Sequence, residues 1–384
     1  MQNAKFFHKK SKINLRSAIV LKKKHKVRLL HIIISIFEII TPQKKSMFNK
    51  ESSPYIIAEI GQAHDGSLGI LYSYIDALAG TGVDAVKFQM HIAEAESSAH
   101  EPFRVKFSLE DQTRFDYWNR MGFTLEQWKG IKQRCDDHHL DFICSPFSNL
   151  AVDWLEEIGT SRYKIGSGEV TNFLLLEKIA RTGKPVILSS GMSSFEELDK
   201  SVEFLKERKV SFSILQCTTA YPTAPKDFGF NVIAELKKKY NVPIGFSDHS
   251  AKIATCIAAT ALGAEILEFH VVFDRKMFGP DAASSIEIDE IPALVEGIRN
   301  TKIALDHPVS KTNGNDFKAL KQIFEKSLAV NKALPKGHSI TFDDLEAKKP
   351  KGYGIEAIRF MDVIGKKLIS EKSKWDFLNE EDLL

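Results

Sequence analysis

The chain has 384 residues, 43% apolar and 27% charged, the balance of a soluble globular protein with room for one large domain and one small one. Its near-neutral total hides an asymmetry: residues 1–50 hold 11 Lys and 2 Arg against one acid, Glu38, a charge of +12, so the remainder carries −9. A mildly acidic body excludes the basic surface of a nucleic-acid binder.

The basic segment contains KKKHKVRLLHIIISIFEIIT at 22–41. Its apolar run is about a dozen residues, short of the roughly 20 that a membrane span needs. A signal peptide would need a small-residue cleavage site after it, and Thr41-Pro42-Gln43-Lys44-Lys45 follows instead. A weak interfacial helix is the remaining alternative; residues 1–50 are read as a disordered basic extension or an over-extended start, with Met47 as a plausible beginning. Cys135, Cys144, Cys217 and Cys256 form no C-x-x-C pair. They read as buried thiols of a reducing, cytoplasmic compartment.

From residue 55 short apolar runs alternate with amphipathic stretches. The runs are YIIAEIG (55–61), DAVKFQM (84–90), DFICSPF (141–147), RYKIGSG (162–168), PVILSSG (185–191), FSILQCT (212–218), PIGFSDH (243–249) and AEILEFHVV (264–272). Each is too short for a helix and rich in strand formers. Between them, residues 124–139 open on a Thr cap, 193–209 on a capping box from Ser193 to Glu196, and 250–263 end on a Gly stop. Eight strands, each followed by a helix, predict an α/β fold, a (β/α)8 barrel over 51–306. No G-x-G-x-x-G follows the first strand, which disfavours an open dinucleotide-binding sheet. Residues 91–123 form a long insertion, expected to serve as a lid or contact loop. Residues 307–326 read as a linker. Residues 327–384 change texture to short β-like pieces with two similar endings, ITFDDL and LNEEDLL. So small a β-rich domain is expected to lean on another surface.

In a barrel the chemistry sits at the C-terminal ends of the strands. Here those ends carry Glu59, Lys87, Gln89, Ser145, Lys164, Ser167, Glu169, Ser189, Thr219, Tyr221, Ser247, His249, Glu268 and His270, with Asp281 just beyond. Lys87, Lys164, Glu59 and Glu268 lie inside apolar runs, where a buried charge needs a partner, a ligand or an ion. Two lysines ringed by hydroxyls suit a phosphate or carboxylate. A lone barrel lysine is equally a Schiff-base nucleophile or half of a salt bridge. Either histidine alone reads as a hydrogen-bonded loop residue. As a pair on adjacent strand ends they suit one divalent ion, with positions left for water and substrate. Carboxylates at 59 and 268 suit proton transfer or orientation of a sugar hydroxyl.

In order, IIAEIGQAHDGSL, AVKFQMH, SPFS, YKIGSGE, GKPVILSSGM, LQCTTAYPT, IGFSDHS, GAEILEFH and GPDAASS closely resemble the motifs of the sialic acid synthases, the N-acetylneuraminate synthase group. The resemblance runs from about residue 54 to 384, and the tail is similar to that family's C-terminal SAF, or antifreeze-like, β-clip domain. It implies condensation of phosphoenolpyruvate with an N-acetylmannosamine-type sugar, dependent on a divalent metal: Mn2+, with Mg2+ or Co2+ as substitutes. It implies a domain-swapped homodimer, with no nucleic-acid or membrane partner. It also implies roles: His249 and His270 as metal ligands; Glu59, Glu268 and Tyr221 as catalytic groups; and Lys87, Gln89, Ser145, Lys164, Ser167, Glu169, Ser189, Thr219, Ser247, Asp281 and Lys349 around the substrates.

Three positions depart from the family pattern. Ala63 stands where Asn is usual, Thr219 where Asn or Ser is usual, and Lys349 where the C-terminal motif has an Arg. Lysine lacks the planar two-pronged donor of arginine, so acceptor-sugar identity is open where the reaction class is not. The alternatives are a phosphorylated or diacetamido acceptor, as in legionaminate or pseudaminate synthesis, and a Schiff-base aldolase.

Overall fold

The computed structural model describes residues 54–312 and 317–384. The basic extension expected over 1–50 lies outside the described residues, as does part of the linker, 313–316.

The eight strands are β1 (Tyr55–Glu59), β2 (Ala85–Met90), β3 (Asp141–Pro146), β4 (Tyr163–Ile165), β5 (Val186–Ser189), β6 (Phe212–Cys217), β7 (Ile244–Asp248) and β8 (Ile266–Val272). They pair in parallel in sequence order, and β1 pairs with β8, closing the barrel. A short ninth strand, β9 (Ile286–Glu287), adds to β8.

The period-two alternation of each strand explains the interior. Tyr55, Ile57, Ala85, Ile143, Ile187, Leu215 and Ile266 form one buried apolar cluster. Two or four residues further along the same strand faces come Glu59, Lys87, Ser145, Ser189, Cys217, Glu268 and His270. The interior is thus apolar toward the strand starts and polar toward the strand ends. Gly245 has no room for a side chain: a Cβ there would meet Leu215 Cδ2 and the Ile266 carbonyl, both at 2.4 Å.

The alternate strand faces, such as Ile56, Ala58, Val86 and Phe88, join the larger core under the helices. The helices are α1 (Leu68–Leu78), α2 (Ala93–Glu96), α3 (Arg114–Met121), α4 (Leu125–Asp137), α5 (Asn149–Ile158), α6 (Phe173–Ala180), α7 (Phe195–Glu207), α8 (Phe230–Tyr240), α9 (Ile253–Ala261) and α10 (Ile291–Asp306). Helix α1 buries Leu71, Tyr74, Ile75 and Leu78, the spacing of one helical face. Thr124 caps α4 through a box with Gln127. The box on α7 is Ser194 with Glu197, not Ser193 with Glu196. Both pairs satisfy the motif, and the face that buries Leu198, Val202 and Leu205 selects the frame.

The insertion over 91–123 is not an open loop. It contains α2 and α3, and Ala93, Tyr117, Trp118 and Met121 pack with Phe103, Phe107 and Phe115 into a separate apolar cluster.

The chain divides into two compact units between Asp306 and His307. The second contains α11 (Lys318–Phe324) and an antiparallel pair, β10 (Ser327–Val330) with β11 (Leu345–Lys348). Its core gathers Leu328, Val330, Leu334, Ile340, Ile355, Val363, Leu368 and Leu378. The two similar endings fold alike: Thr341 and Asp344, and Asn379 and Asp382, each form a capping box around a single 3-10 turn. Among the described residues no helix is long and apolar enough to cross a membrane.

Candidate active site

The strand ends enclose a cavity of about 630 Å³. Fourteen of the sequence-named residues line it: Glu59, Lys87, Gln89, Ser145, Lys164, Ser167, Ser189, Thr219, Tyr221, Ser247, His249, Glu268, His270 and Asp281. Two do not. Glu169 turns aside and accepts a hydrogen bond from Asn172 Nδ2 at 2.7 Å. Lys349 belongs to the second unit, where its ammonium lies 4.9 Å from the Phe324 ring centroid.

The floor is a buried network of charge. Lys87 Nζ lies 2.7 Å from Glu59 Oε1 and 3.5 Å from Glu268 Oε1. Lys164 Nζ lies 3.2 Å from Glu268 Oε1 and donates to Ser189 Oγ at 2.6 Å. Ser247 Oγ donates to Glu268 Oε1 at 2.9 Å. Burial by itself raises both carboxyls, but the neighbouring cations outweigh it. His270, Lys87 and Lys164 hold Glu59 below the usual carboxylate range, and Lys164 and Lys87 do the same for Glu268. Burial also depresses both ammoniums. For Lys87 the attraction of Glu268 and Glu59 prevails and the value rises; for Lys164 burial prevails and it falls. The site is therefore two carboxylates interleaved with two lysines, a balanced set that an arriving anion would unbalance.

Hydroxyls and glycines form one wall. Ser167 Oγ accepts from the Gly191 amide at 3.1 Å. A Cβ on Gly191 would fall 2.6 Å from both Ser167 Oγ and Thr219 Oγ1. Only a bare backbone lets those two hydroxyls converge there. Ser145 Oγ is buried with no hydrogen-bond partner among the described residues.

A second wall is imidazole and phenol. The rings of His249 and His270 stand 5.3 Å apart between centroids. Tyr221 lies 4.2 Å from the first and 6.1 Å from the second. Burial raises the Tyr221 phenol above its ordinary value, so it stays a neutral donor. The Cys217 thiol is also buried, which by itself raises it, but His249 and Lys164 outweigh this and lower it.

The two histidines fit a divalent ion. His249 Nδ1 lies 2.9 Å from the Thr218 carbonyl and donates to it, which leaves Nε2 as a lone pair. His270 Nε2 faces Glu59 Oε2 at 3.2 Å, and its Nδ1 is buried with no hydrogen-bond partner among the described residues. An ion about 2.1 Å from one nitrogen of each ring is compatible with this centroid spacing. Among the described residues no three His, Cys, Asp or Glu side chains gather as a complete cage. Water and substrate oxygens would have to finish the coordination shell.

Several lining residues carried no signal in the sequence. Gln62 follows β1 and donates to Gln89 Oε1 at 2.7 Å. Arg104 and Arg114 come from the insertion. The Arg104 guanidinium lies 4.2 Å from the Tyr221 ring centroid and 3.4 Å from Asp281. Arg114 lies 4.1 Å from the Trp118 ring centroid. Gln62 and Arg104 lie in irregular segments, which have no periodicity to read, and Arg114 reaches the cavity only through the packing of α3 in the insertion.

The sequence model of the NeuB family matches residues 74–310. N-acetylneuraminate-9-phosphate synthase of Homo sapiens is 33% identical over 333 residues, 85% of this chain and 92% of that protein. N,N'-diacetyllegionaminic acid synthase of Campylobacter jejuni subsp. jejuni serotype O:2 is 32% identical, over 81% of this chain and 94% of that one. The crystal structure of N-acetylneuraminic acid synthetase from Leptospira borgpetersenii serovar Hardjo-bovis, in complex with citrate, superposes with a TM-score of 0.62. It is 32% identical and covers 70% of this chain and 90% of its own. With a closed eight-stranded barrel, a family match across most of that barrel and relatives spanning nearly their full length, the chain belongs to the NeuB family.

Proposed function

We propose that this protein is a sialic-acid-type synthase that condenses phosphoenolpyruvate with an N-acetylmannosamine-type sugar, giving a nine-carbon 2-keto-3-deoxy acid and inorganic phosphate. One observation carries the reading: two lysines, a converging set of hydroxyls and two histidines share a single barrel mouth. That combination serves an anionic substrate and an ion-assisted carbonyl together.

Lys87 and Lys164 hold the carboxylate and phosphate of phosphoenolpyruvate, helped by Ser145, Ser167, Ser189, Thr219 and Ser247. His249 and His270 would hold a divalent ion, which the family resemblance makes Mn2+, with Mg2+ or Co2+ as substitutes. When bound, the ion supplies Lewis-acid polarisation of the open-chain sugar aldehyde. Gln89, Tyr221 and Asp281 orient the sugar. The C3 carbon of phosphoenolpyruvate bonds to the aldehyde carbon, leaving a cationic C2. Glu59, held ionised by its cationic neighbours, takes a proton from the water that adds to C2. The C2–O bond then breaks, the C2 hydroxyl becomes the keto group as its proton goes to the departing phosphate, and the proton taken by Glu59 passes to the former aldehyde oxygen, now a hydroxyl. Glu268 keeps the two lysines apart and oriented, and Tyr221 donates a hydrogen bond to the sugar oxygen as it gains charge.

A second acceptor class fits the same site. Arg104 and Arg114 at the rim would accommodate a phosphorylated sugar, and the human relative is named for a 9-phosphate product. The Campylobacter relative is named for a diacetyl product, which supports a diacetamido sugar. For the C-terminal unit we propose the SAF fold, Lys349 as a sugar contact, and a domain-swapped homodimer working in the cytoplasm. Exposed Ile358, Met361 and Phe342 support a covered face on this unit, and sedimentation velocity tests the dimer.

Phosphoenolpyruvate carrying 18O in its bridging enol oxygen tests the chemistry. C–O cleavage delivers the label to phosphate, and label kept in the keto acid contradicts it. A Schiff-base aldolase would instead trap pyruvate on Lys87 or Lys164 under borohydride.

A further inference from the structure

From Glu59 and Gln89 of the cavity a buried chain of polar groups runs to Gln62, His91 and Glu96, three residues that the reaction above does not use. Glu59 Oε1 accepts from Gln89 Nε2 at 2.7 Å. Gln89 Oε1 accepts from Gln62 Nε2 at 2.7 Å. Gln62 Nε2 also lies 3.0 Å from His91 Nε2, and His91 Nδ1 lies 2.6 Å from Glu96 Oε1. Gln62 and His91 are 6% and 5% exposed, and the Glu96 side chain is 7% exposed.

One arrangement of hydrogens satisfies these four links. A carboxylate only accepts, so Glu96 requires a proton on His91 Nδ1. Gln62 Nε2 can only donate, so at 3.0 Å it gives one N–H to a lone pair on His91 Nε2. The other N–H of Gln62 goes to Gln89 Oε1. Gln89 is thereby forced to turn its amide nitrogen toward Glu59. In the flipped amide an oxygen would oppose the Glu59 carboxylate, and a buried acceptor–acceptor contact is costly. The contact of His91 Nε2 with Gln89 Oε1, at 3.2 Å, is the longest in the cluster and carries no hydrogen in this arrangement.

The His91 ring is held flat on both sides. Trp118 of α3 stacks on it at 3.6 Å and 16°, and Phe147 after β3 stacks on the other face at 4.4 Å and 12°. The aromatic pair fixes the plane of the ring, and Glu96 fixes its tautomer. Glu96 and Trp118 both belong to the insertion, whereas Gln62, Gln89 and Glu59 belong to the barrel. His91 is the joint between them.

We propose that His91 is a positioning residue: through the chain Glu96–His91–Gln62–Gln89–Glu59, seating of the insertion sets the Gln89 amide and the Glu59 carboxylate in their working orientation. Gln89 lines the cavity with one N–H committed to Glu59 and a second for a substrate oxygen. Its misorientation removes a donor from the sugar side and a hydrogen bond from Glu59, and leaves the lysine and hydroxyl contacts intact. The kinetic consequence rests on the synthase reading above; the hydrogen-bond arrangement does not.

His91→Phe keeps a flat ring between Trp118 and Phe147 and deletes both nitrogens. With phosphoenolpyruvate and the acceptor sugar, kcat/KM for the sugar is expected to fall about 10- to 100-fold, the scale of small misplacements in an active site. KM for phosphoenolpyruvate should stay within about twofold, because its contacts are untouched. In a Gln89→Leu background the same substitution should cost nothing further, since both act through one amide. Equal losses in the two backgrounds, or a wild-type sugar kcat/KM, overturn the proposal. If His91→Phe does not fold, Gln62→Met breaks the same chain and is held to the same outcomes. Long-range 1H–15N spectra of histidine-labelled protein read the tautomer whether or not phosphoenolpyruvate is consumed. A His91 signal protonated at Nδ1 with a lone pair at Nε2 supports the chain, and the reverse tautomer overturns it. An inactive wild type with the expected tautomer would count against the synthase reading alone.

Discussion

Glu268 Oε1 lies 3.2 Å from the Lys164 ammonium, and both side chains are 2% exposed. A buried ion pair is weak evidence for stability, because desolvation offsets much of the attraction. Its place in the cavity floor points to function. Glu268→Leu alone strands the buried Lys164 ammonium, while Lys87 keeps Glu59 at 2.7 Å, and is expected to cost about 3–5 kcal/mol of unfolding free energy in urea titrations. Adding Lys164→Met should recover much of that loss, because an apolar pair needs no compensation. Activity should stay lost in the double variant. If activity returned with stability, the network would be structural and not catalytic.

The histidine pair gives a prediction that does not depend on turnover. The Thr218 carbonyl leaves His249 Nε2 as a lone pair. Loss of an outer-shell partner typically costs 10–100-fold in metal affinity, so loss of a ligand should reach at least the upper end of that range. His249→Ala and His270→Ala should each weaken Mn2+ binding by about 100-fold or more, read by electron paramagnetic resonance of free Mn2+. Mn2+ affinity unchanged in either variant would remove that residue from the ligand set.

Gly191 is held bare by what surrounds it, not by its backbone angles. A Cβ 2.6 Å from Ser167 Oγ and Thr219 Oγ1 and 3.0 Å from Cys217 Sγ would push the hydroxyls out of the phosphoenolpyruvate side. Gly191→Ala should raise KM for phosphoenolpyruvate about tenfold or more, as expected when substrate contacts are lost, and leave KM for the sugar nearly unchanged. A change confined to the sugar would mean that this wall serves the other substrate.

His64 provides a pH test away from the metal site. Burial lowers its value from 6.5 to about 3, and its Nδ1 accepts from the Gly66 amide at 3.0 Å. The group is neutral in the folded protein, while the unfolded chain takes up a proton below about 6.5. Protonation therefore favours unfolding, and stability falls as pH drops from about 6.5 toward 3. The slope contributed is at most about 1.4 kcal/mol per pH unit. His64→Asn keeps an acceptor for Gly66 without a titrating ring. Its unfolding free energy should fall less steeply between pH 6.5 and 5, by about 2 kcal/mol over that interval. Parallel curves would show that His64 does not carry this term.

The barrel and most of the cavity were legible because period-two strands write their inward face into the sequence. Ile57 and Glu59, Ala85 and Lys87, Ile266 and Glu268 each alternate so that the apolar member packs inside and the polar member reaches the cavity. The 21-residue step from His249 to His270 is one turn, helix and strand. Much of what the sequence did not disclose came from packing between segments distant in sequence, which no local period encodes. Arg104, Arg114 and Trp118 enter through an insertion whose packing depends on its own aromatic cluster. Glu169 sits in a strand-end motif but turns to Asn172 at the start of α6, a local side-chain contact that the motif does not encode. The α7 cap slipped by one residue because adjacent serines each have an acid three positions on.

Phosphate release is the most direct test of the central claim. The protein is incubated with phosphoenolpyruvate and, separately, N-acetylmannosamine, its 6-phosphate and the 6-deoxy diacetamido sugars, with and without EDTA. The account predicts phosphate in equal amount to a 2-keto-3-deoxy acid with at least one of these sugars, abolished by EDTA and restored by Mn2+. Turnover indifferent to EDTA, or no consumption of phosphoenolpyruvate with any of them, would contradict it.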